Sequence, residues 1–122
     1  LKVFPFREFS SWNEIEPELA GADAAFFLPH QLELFPDRSF DAFINISSFH
    51  EMTRDQIRNY FRLIHSLCRG VFYSKQWFKS VNRADRIEVS AADYPVPDSW
   101  ERVYFRRAPV QAKFFESLYV VR

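Results

Sequence analysis

Apolar positions cluster in short unbroken runs in the first half of the chain. Residues 24–28 form one run, closed by Pro29, and residues 40–46 form another, entered through the turn-like Pro36-Asp37-Arg38-Ser39. Short runs without alternation, bounded by turn residues, suit strands covered on both faces, so the pattern predicts two interior strands of a parallel sheet. A helical pattern follows. Thr53 and Gln56 make a capping box, and Ile57, Tyr60, Phe61, Ile64, Leu67 and Cys68 recur at helical spacing until Gly70, the expected C-terminal stop. Residues 71–73 predict a strand, and residues 102–107 and 115–121 two more, joined by a short connection containing Pro109 as an antiparallel pair. At the N-terminus, residues 2–6 predict a strand and residues 11–21 a helix opened by Ser11 and Glu14. Pro17 argues against that helix being continuous, because proline removes an amide donor and crowds the preceding turn.

Between Trp77 and Trp100 the pattern lapses. Lys79, Arg83, Asp85, Arg86, Glu88 and Asp93 share the segment with two prolines, which predicts a long loop with one helical turn, either substrate-facing or simply solvated. The alternation of strands and helices argues for an α/β fold with right-handed crossovers, in which ligands bind beyond the carboxyl ends of the strands.

Composition narrows the function classes. Lys plus Arg and Asp plus Glu both total 16, so zero formal charge argues against nucleic acid or an anionic membrane as partner. No apolar run approaches the ~20 residues of a membrane span. A lone Cys68 excludes an internal disulfide and a cysteine-built zinc site, which suits a cytoplasmic setting. Metal binding is not expected either, since His30, His50 and His65 lack ligand spacing with Asp or Glu. Aromatic residues make up 19% of the chain whereas glycine occurs only twice, predicting a rich core and loops poor in glycine.

The stretch LELFPDRSFDAFINISSFHEM resembles the class I S-adenosylmethionine-dependent methyltransferases. Pro36, Asp37, Ser39, Phe40 and Asp41 match their pattern in place, and His50-Glu51-Met52 falls where those enzymes begin the helix after their fourth strand. Together with FYSKQW, DYPVPDSW and PVQAKFFESLY, in that order, the chain looks like the C-terminal part of the sugar O-methyltransferase family. The resemblance implies a Rossmann-like methyltransferase sheet with helices on its faces, S-adenosylmethionine as cofactor and a sugar hydroxyl as methyl acceptor. One departure is large. The glycine-rich loop after the first strand, and the acidic residue that ends the second, have no counterpart, and Gly21 and Gly70 are isolated. The match is therefore expected to be partial, with those elements upstream in a longer enzyme and little cofactor affinity in these residues alone.

Candidate site residues follow from the strand ends. His50 is the best base for a hydroxyl that must lose its proton as it attacks, with Glu51 beside it; the plain alternative is that both occupy the first turn before the capped helix. Asn45, Ser47 and Ser48 either bind the cofactor's amino-acid end and the acceptor or satisfy the backbone of their own loop. The resemblance places an adenine contact near His30 and Gln31. Lys75, Gln76 and Trp77 end a strand, where Trp77 either stacks on a sugar face or anchors the long loop, and Lys75 and Gln76 bind hydroxyls. A rival reading is a non-catalytic α/β module whose aromatic surface binds a glycan or a protein partner, and exposed sheet edges would favour self-association.

Overall fold

A computed structural model describes residues 1–122, which divide into two compact units, Leu1–Asp37 and Arg38–Arg122. In the first, β1 (Val3–Phe4) pairs in parallel with β2 (Ala24–Ala25). The expected helix over residues 11–21 is instead a 3-10 turn at Trp12–Glu14 followed by the one-turn α1 (Glu16–Leu19). Pro17 explains the division: it sits in the first turn of α1, where a missing amide costs nothing, rather than inside one longer helix. The predicted strand at residues 24–28 shortens to two residues, because Pro29 opens a 3-10 run, Pro29–Leu34. Rings hold this unit together, with Phe4 and Phe27 stacked at 5.6 Å, and Phe27 edge-on to Phe35 at 5.0 Å.

The second unit is built on a four-stranded sheet with the order β3-β4-β8-β7. Strand β3 (Phe40–Ile46) leads through α2 (Arg54–Leu67) into β4 (Cys68–Trp77), which lies parallel to it. Strand β7 (Glu101–Arg107) then returns through β8 (Phe114–Val120), which is antiparallel to both of its neighbours. The architecture is therefore mixed α/β and ends in the expected antiparallel pair. Position within the sheet differs from expectation: β3 is an edge strand, and Ile44 and Ile46 are 69% and 55% exposed on it, while Phe43 packs into the core from the other side. An unbroken apolar run does not distinguish an edge strand from an interior one.

Helix α2 begins as the sequence predicts. Thr53 Oγ1 accepts from Gln56 N at 3.2 Å, and Gln56 Oε1 accepts from Thr53 N at 3.0 Å. Its end differs. The helix stops at Leu67, Cys68 already starts β4, and Gly70 lies within that strand without a positive φ. Cys68 is fully buried at the head of the strand rather than filling space on the helix.

The buried face of α2 presents Ile57, Phe61 and Ile64 to the sheet, where Phe72 of β4 and Tyr119 of β8 meet them. Phe61 stacks on Trp100 at 5.8 Å and meets Phe49 at 5.6 Å, so the core is a continuous set of rings. Burying a side chain such as Phe72 contributes about 2–3 kcal/mol. The segment read as a loop contains its own hairpin, β5 (Lys79–Val81) against β6 (Glu88–Ser90), followed by a 3-10 turn at Ala91–Asp93. Each arm is only three residues long, too short for periodicity to register, and Lys79 pairs with Glu88 across it at 3.2 Å.

Candidate functional site

The parallel pair β3–β4 sets the place. Strand β3 ends at Ile46, and Ser47 then takes a left-handed backbone, φ 56°, with its amide held by Lys75 O at 2.8 Å. A positive φ is strained for serine, and only a fixed surround keeps it there. The chain thus turns off the sheet edge into the 3-10 turn Phe49–Glu51, which carries His50 back over the ends of the strands. Phe49, almost fully buried among Tyr60, Phe61 and Phe72, anchors that turn.

His50 is 9% exposed and faces an aromatic pair. Its ring centroid lies 6.1 Å from Trp77 and 6.4 Å from Phe114, both edge-on, while those two rings are 5.1 Å apart. Ammonium groups stand over the pair: Lys75 Nζ is 5.6 Å from the Phe114 centroid and Lys113 Nζ 5.7 Å from that of Trp77. Beside them lies a cavity of about 500 Å³ lined by His50, Glu51, Trp77 and the β5 residues Lys79 to Val81 with Asn82. Its size falls within the range of small-molecule sites. Ser80 Oγ donates to His50 O at 3.1 Å and so ties the hairpin to the histidine turn.

Behind the histidine lies a polar network. Gln76, fully buried, donates through Nε2 to Asn45 O at 3.1 Å, Asn45 Oδ1 at 2.7 Å and Ser74 Oγ at 3.2 Å. Ser48 Oγ donates to the same Asn45 Oδ1 at 2.9 Å. Asn45 and Ser48 are thus engaged with each other and with Gln76. Burial pushes the His50 imidazole below its ordinary value of 6.5, while the neighbouring Gln76 carboxamide and then the Glu51 charge pull it back up. The net direction is down, which leaves His50 neutral near pH 7. Its Nδ1 is nonetheless buried without a hydrogen-bond partner, as is Gln76 Oε1.

Seven of the residues singled out in the sequence come together here: Asn45, Ser48, His50, Glu51, Lys75, Gln76 and Trp77. Ser47 serves the turn through its backbone. His30 and Gln31 belong to the Leu1–Asp37 unit, where Gln31 is buried and committed to the backbone, accepting from Leu28 N at 2.8 Å and donating to Arg7 O at 2.8 Å. That use of its amide argues against an adenine contact from Gln31. His65 accepts a 3.0 Å hydrogen bond from Trp100 Nε1, a structural role.

Ser74, Ser80 and Phe114 also belong to the site, and no local sequence pattern marks them. Ser74 alternates with Phe72 and Gln76 on one face of β4, a signal visible once the strand is known to run on to Trp77. Phe114 reaches Trp77 only through the β4–β8 pairing, which no local pattern encodes.

No group of three or more His, Cys, Asp or Glu side chains is gathered so as to hold a metal ion, and no helix is long and apolar enough to cross a membrane. The residues present do not supply a glycine cradle for S-adenosylmethionine: Gly70 abuts the Asp41 carbonyl and Gly21 lies beside α1.

No family model matches the chain, and no curated protein matches it. Among solved structures it is similar to the PH0226 protein from Pyrococcus horikoshii OT3, with a TM-score of 0.62 and 12% identity over 89% of this chain. The chain spans 65% of that protein's length, and at this identity the likeness is one of fold alone.

Proposed function

We propose that these residues form the acceptor side of an S-adenosylmethionine-dependent O-methyltransferase of Rossmann-like fold, acting on a hydroxyl of a sugar or sugar-containing small molecule. The observation that carries the reading is His50: a neutral imidazole, nearly buried, that lines a cavity of about 500 Å³ beside the Trp77 ring at the carboxyl end of two parallel strands. The strand order adds support, with a parallel pair joined by a helix and the last two strands forming an antiparallel pair.

In this reading the bound cofactor supplies an electrophilic methyl group on sulfur. The residues here do the rest of the acceptor's work. Trp77 offers a ring on which a sugar can stack at the wall of the cavity. His50 takes the hydroxyl proton as the oxygen attacks, and general-base help of this kind is worth roughly 10²–10⁴-fold. Holding the hydroxyl beside the base contributes further by proximity. Glu51, next in the chain, favours the imidazolium that forms.

The test is His50→Ala in the intact enzyme with a panel of sugar acceptors and labelled S-adenosylmethionine. Turnover should fall by at least 100-fold with the fold unchanged; near-normal turnover would remove His50 from the mechanism. Glycan binding with no methyl transfer by the wild-type enzyme would favour the non-catalytic module instead. Residues 1–122 alone should bind S-adenosylmethionine weakly, and micromolar affinity by calorimetry would show that a glycine-rich loop is not required.

A further inference from the structure

We infer that Gln76 is a positioning residue that fixes the tautomer of His50, with Nδ1 carrying the proton towards Gln76 Oε1 and Nε2 left as the acceptor open to the cavity. The assignment of a base role to Nε2 rests on the methyltransferase reading; the tautomer itself does not.

The argument starts from the far end of Gln76. Its Nε2 is surrounded by acceptors: the carbonyl and side-chain oxygens of Asn45, and Ser74 Oγ. An amide turned the other way would set its oxygen against the Asn45 carbonyl, so the network dictates which way the group faces. Asn45 is held in turn by Ser48 Oγ, which donates to the same oxygen. The Gln76 oxygen therefore points out of this cluster with no partner of its own. His50 Nδ1 is the other buried polar atom of the region without one. A buried acceptor and a buried ring nitrogen, each unsatisfied, complement each other only when the nitrogen carries hydrogen. Leaving both unpaired is costly, because each buried group has given up its hydration with nothing in return. Nδ1–H is the tautomer in which the two groups can satisfy each other.

The consequence lies at the opposite side of the ring. With Nδ1 protonated, neutral His50 presents a lone pair at Nε2, the form a proton acceptor needs. Charged groups facing the ring are Glu51 on its own turn, Lys79 from β5, and Lys75 and Lys113 over Phe114 and Trp77. Lys79 is paired with Glu88, and none of these groups competes for Nδ1.

Nitrogen-detected NMR of the full chain, with His50 ring nitrogens assigned, tests this without activity. In the wild type near neutral pH, Nδ1 should give the shift of a protonated nitrogen and Nε2 that of an unprotonated one. Gln76→Met, similar in size and lacking the acceptor, should return His50 to a mixture of tautomers. A wild-type ring protonated at Nε2, or a tautomer unchanged in Gln76→Met with the fold intact by the amide spectrum, overturns the inference. If Gln76→Met does not fold, the wild-type spectrum alone decides, and a His50 ring protonated at Nε2 overturns the inference. In the intact enzyme, Gln76→Met should lower kcat and leave KM nearly unchanged. A Gln76→Met enzyme that loses the tautomer yet keeps full kcat would overturn the positioning role of Gln76. The tautomer as assigned, but with His50→Ala fully active, would remove the catalytic reading and leave the positioning one standing.

Discussion

Gly70 lies directly against the backbone of Asp41: a Cβ placed on Gly70 would stand 2.1 Å from the Asp41 carbonyl oxygen. The contact falls where the β3–β4 register shifts between Phe40 and Ala42, so β4 carries an extra residue opposite Asp41. Glycine is what lets that bulge close, and the neighbouring Arg69 Nε to Asp41 Oδ1 ion pair, at 2.6 Å, spans the same spot. Gly70→Ala should lower stability by about 1–3 kcal/mol, since neither backbone can withdraw without breaking the ladder. Urea denaturation gives the value; a change below 0.5 kcal/mol would mean that β3 moves freely at that point.

The core contains one hydroxyl with nothing to bind. Tyr94 Oη is buried without a partner among Phe49, Phe61 and Phe115, and burial followed by the nearby Asp93 charge pushes its phenol far above the ordinary value of 10.0. Tyr94→Phe should therefore leave stability unchanged or raise it by about 1 kcal/mol, against the usual direction for a core substitution. Thermal denaturation showing a clear loss would point to a hydrogen bond that forms in solution.

Acid should weaken the fold through His50. Its folded-state value lies below the ordinary 6.5, so the unfolded chain binds more protons as pH falls through that value, and the stability contributed by the neutral ring is progressively lost below it. A stability profile from pH 7.5 to 5 should fall, and His50→Gln should flatten it. An unchanged slope in the variant would assign the acid sensitivity to other groups.

On the other face of the sheet, Glu116 joins two strands. It accepts from Tyr73 Oη at 2.9 Å and from Arg106 Nε at 2.6 Å. Burial, then Glu116, push the Tyr73 phenol up to about 12. Glu116→Gln should bring it down towards 10.0 without reaching it, because burial remains. Alkaline absorbance titration of the variant against wild type reads the difference; no movement would exclude the Glu116 contribution.

Much of the fold is legible where local chemistry decides the outcome. The Thr53–Gln56 box marks the start of α2 because both hydrogen bonds lie within one turn, and β7 and β8 read as strands because each has seven residues. Gly70 misleads, because a glycine near the end of a helical pattern looks like a cap when its real task is close approach to a distant carbonyl. The hairpin Lys79–Ser90 escapes for want of length. Within the candidate site, His50 and Trp77 are legible as strand-end residues that meet. The Gln76–Asn45 hydrogen bonds are not, since they join residues 31 apart in the chain and depend on the parallel register of β3 and β4.

The Ser80 hydroxyl holds the His50 carbonyl from a hairpin only three residues to the arm, whose first arm is exposed or half-buried while Val89 of the second sits in the core. The hairpin amides should exchange with solvent through local opening that does not require α2 or β4 to unfold. A molecule seated between Trp77 and Lys79 would have to slow that opening, because it binds only the closed arrangement. Occupancy of the site is therefore readable as protection of Ser80, Val81 and Val89 from deuterium exchange, before any reaction product is known.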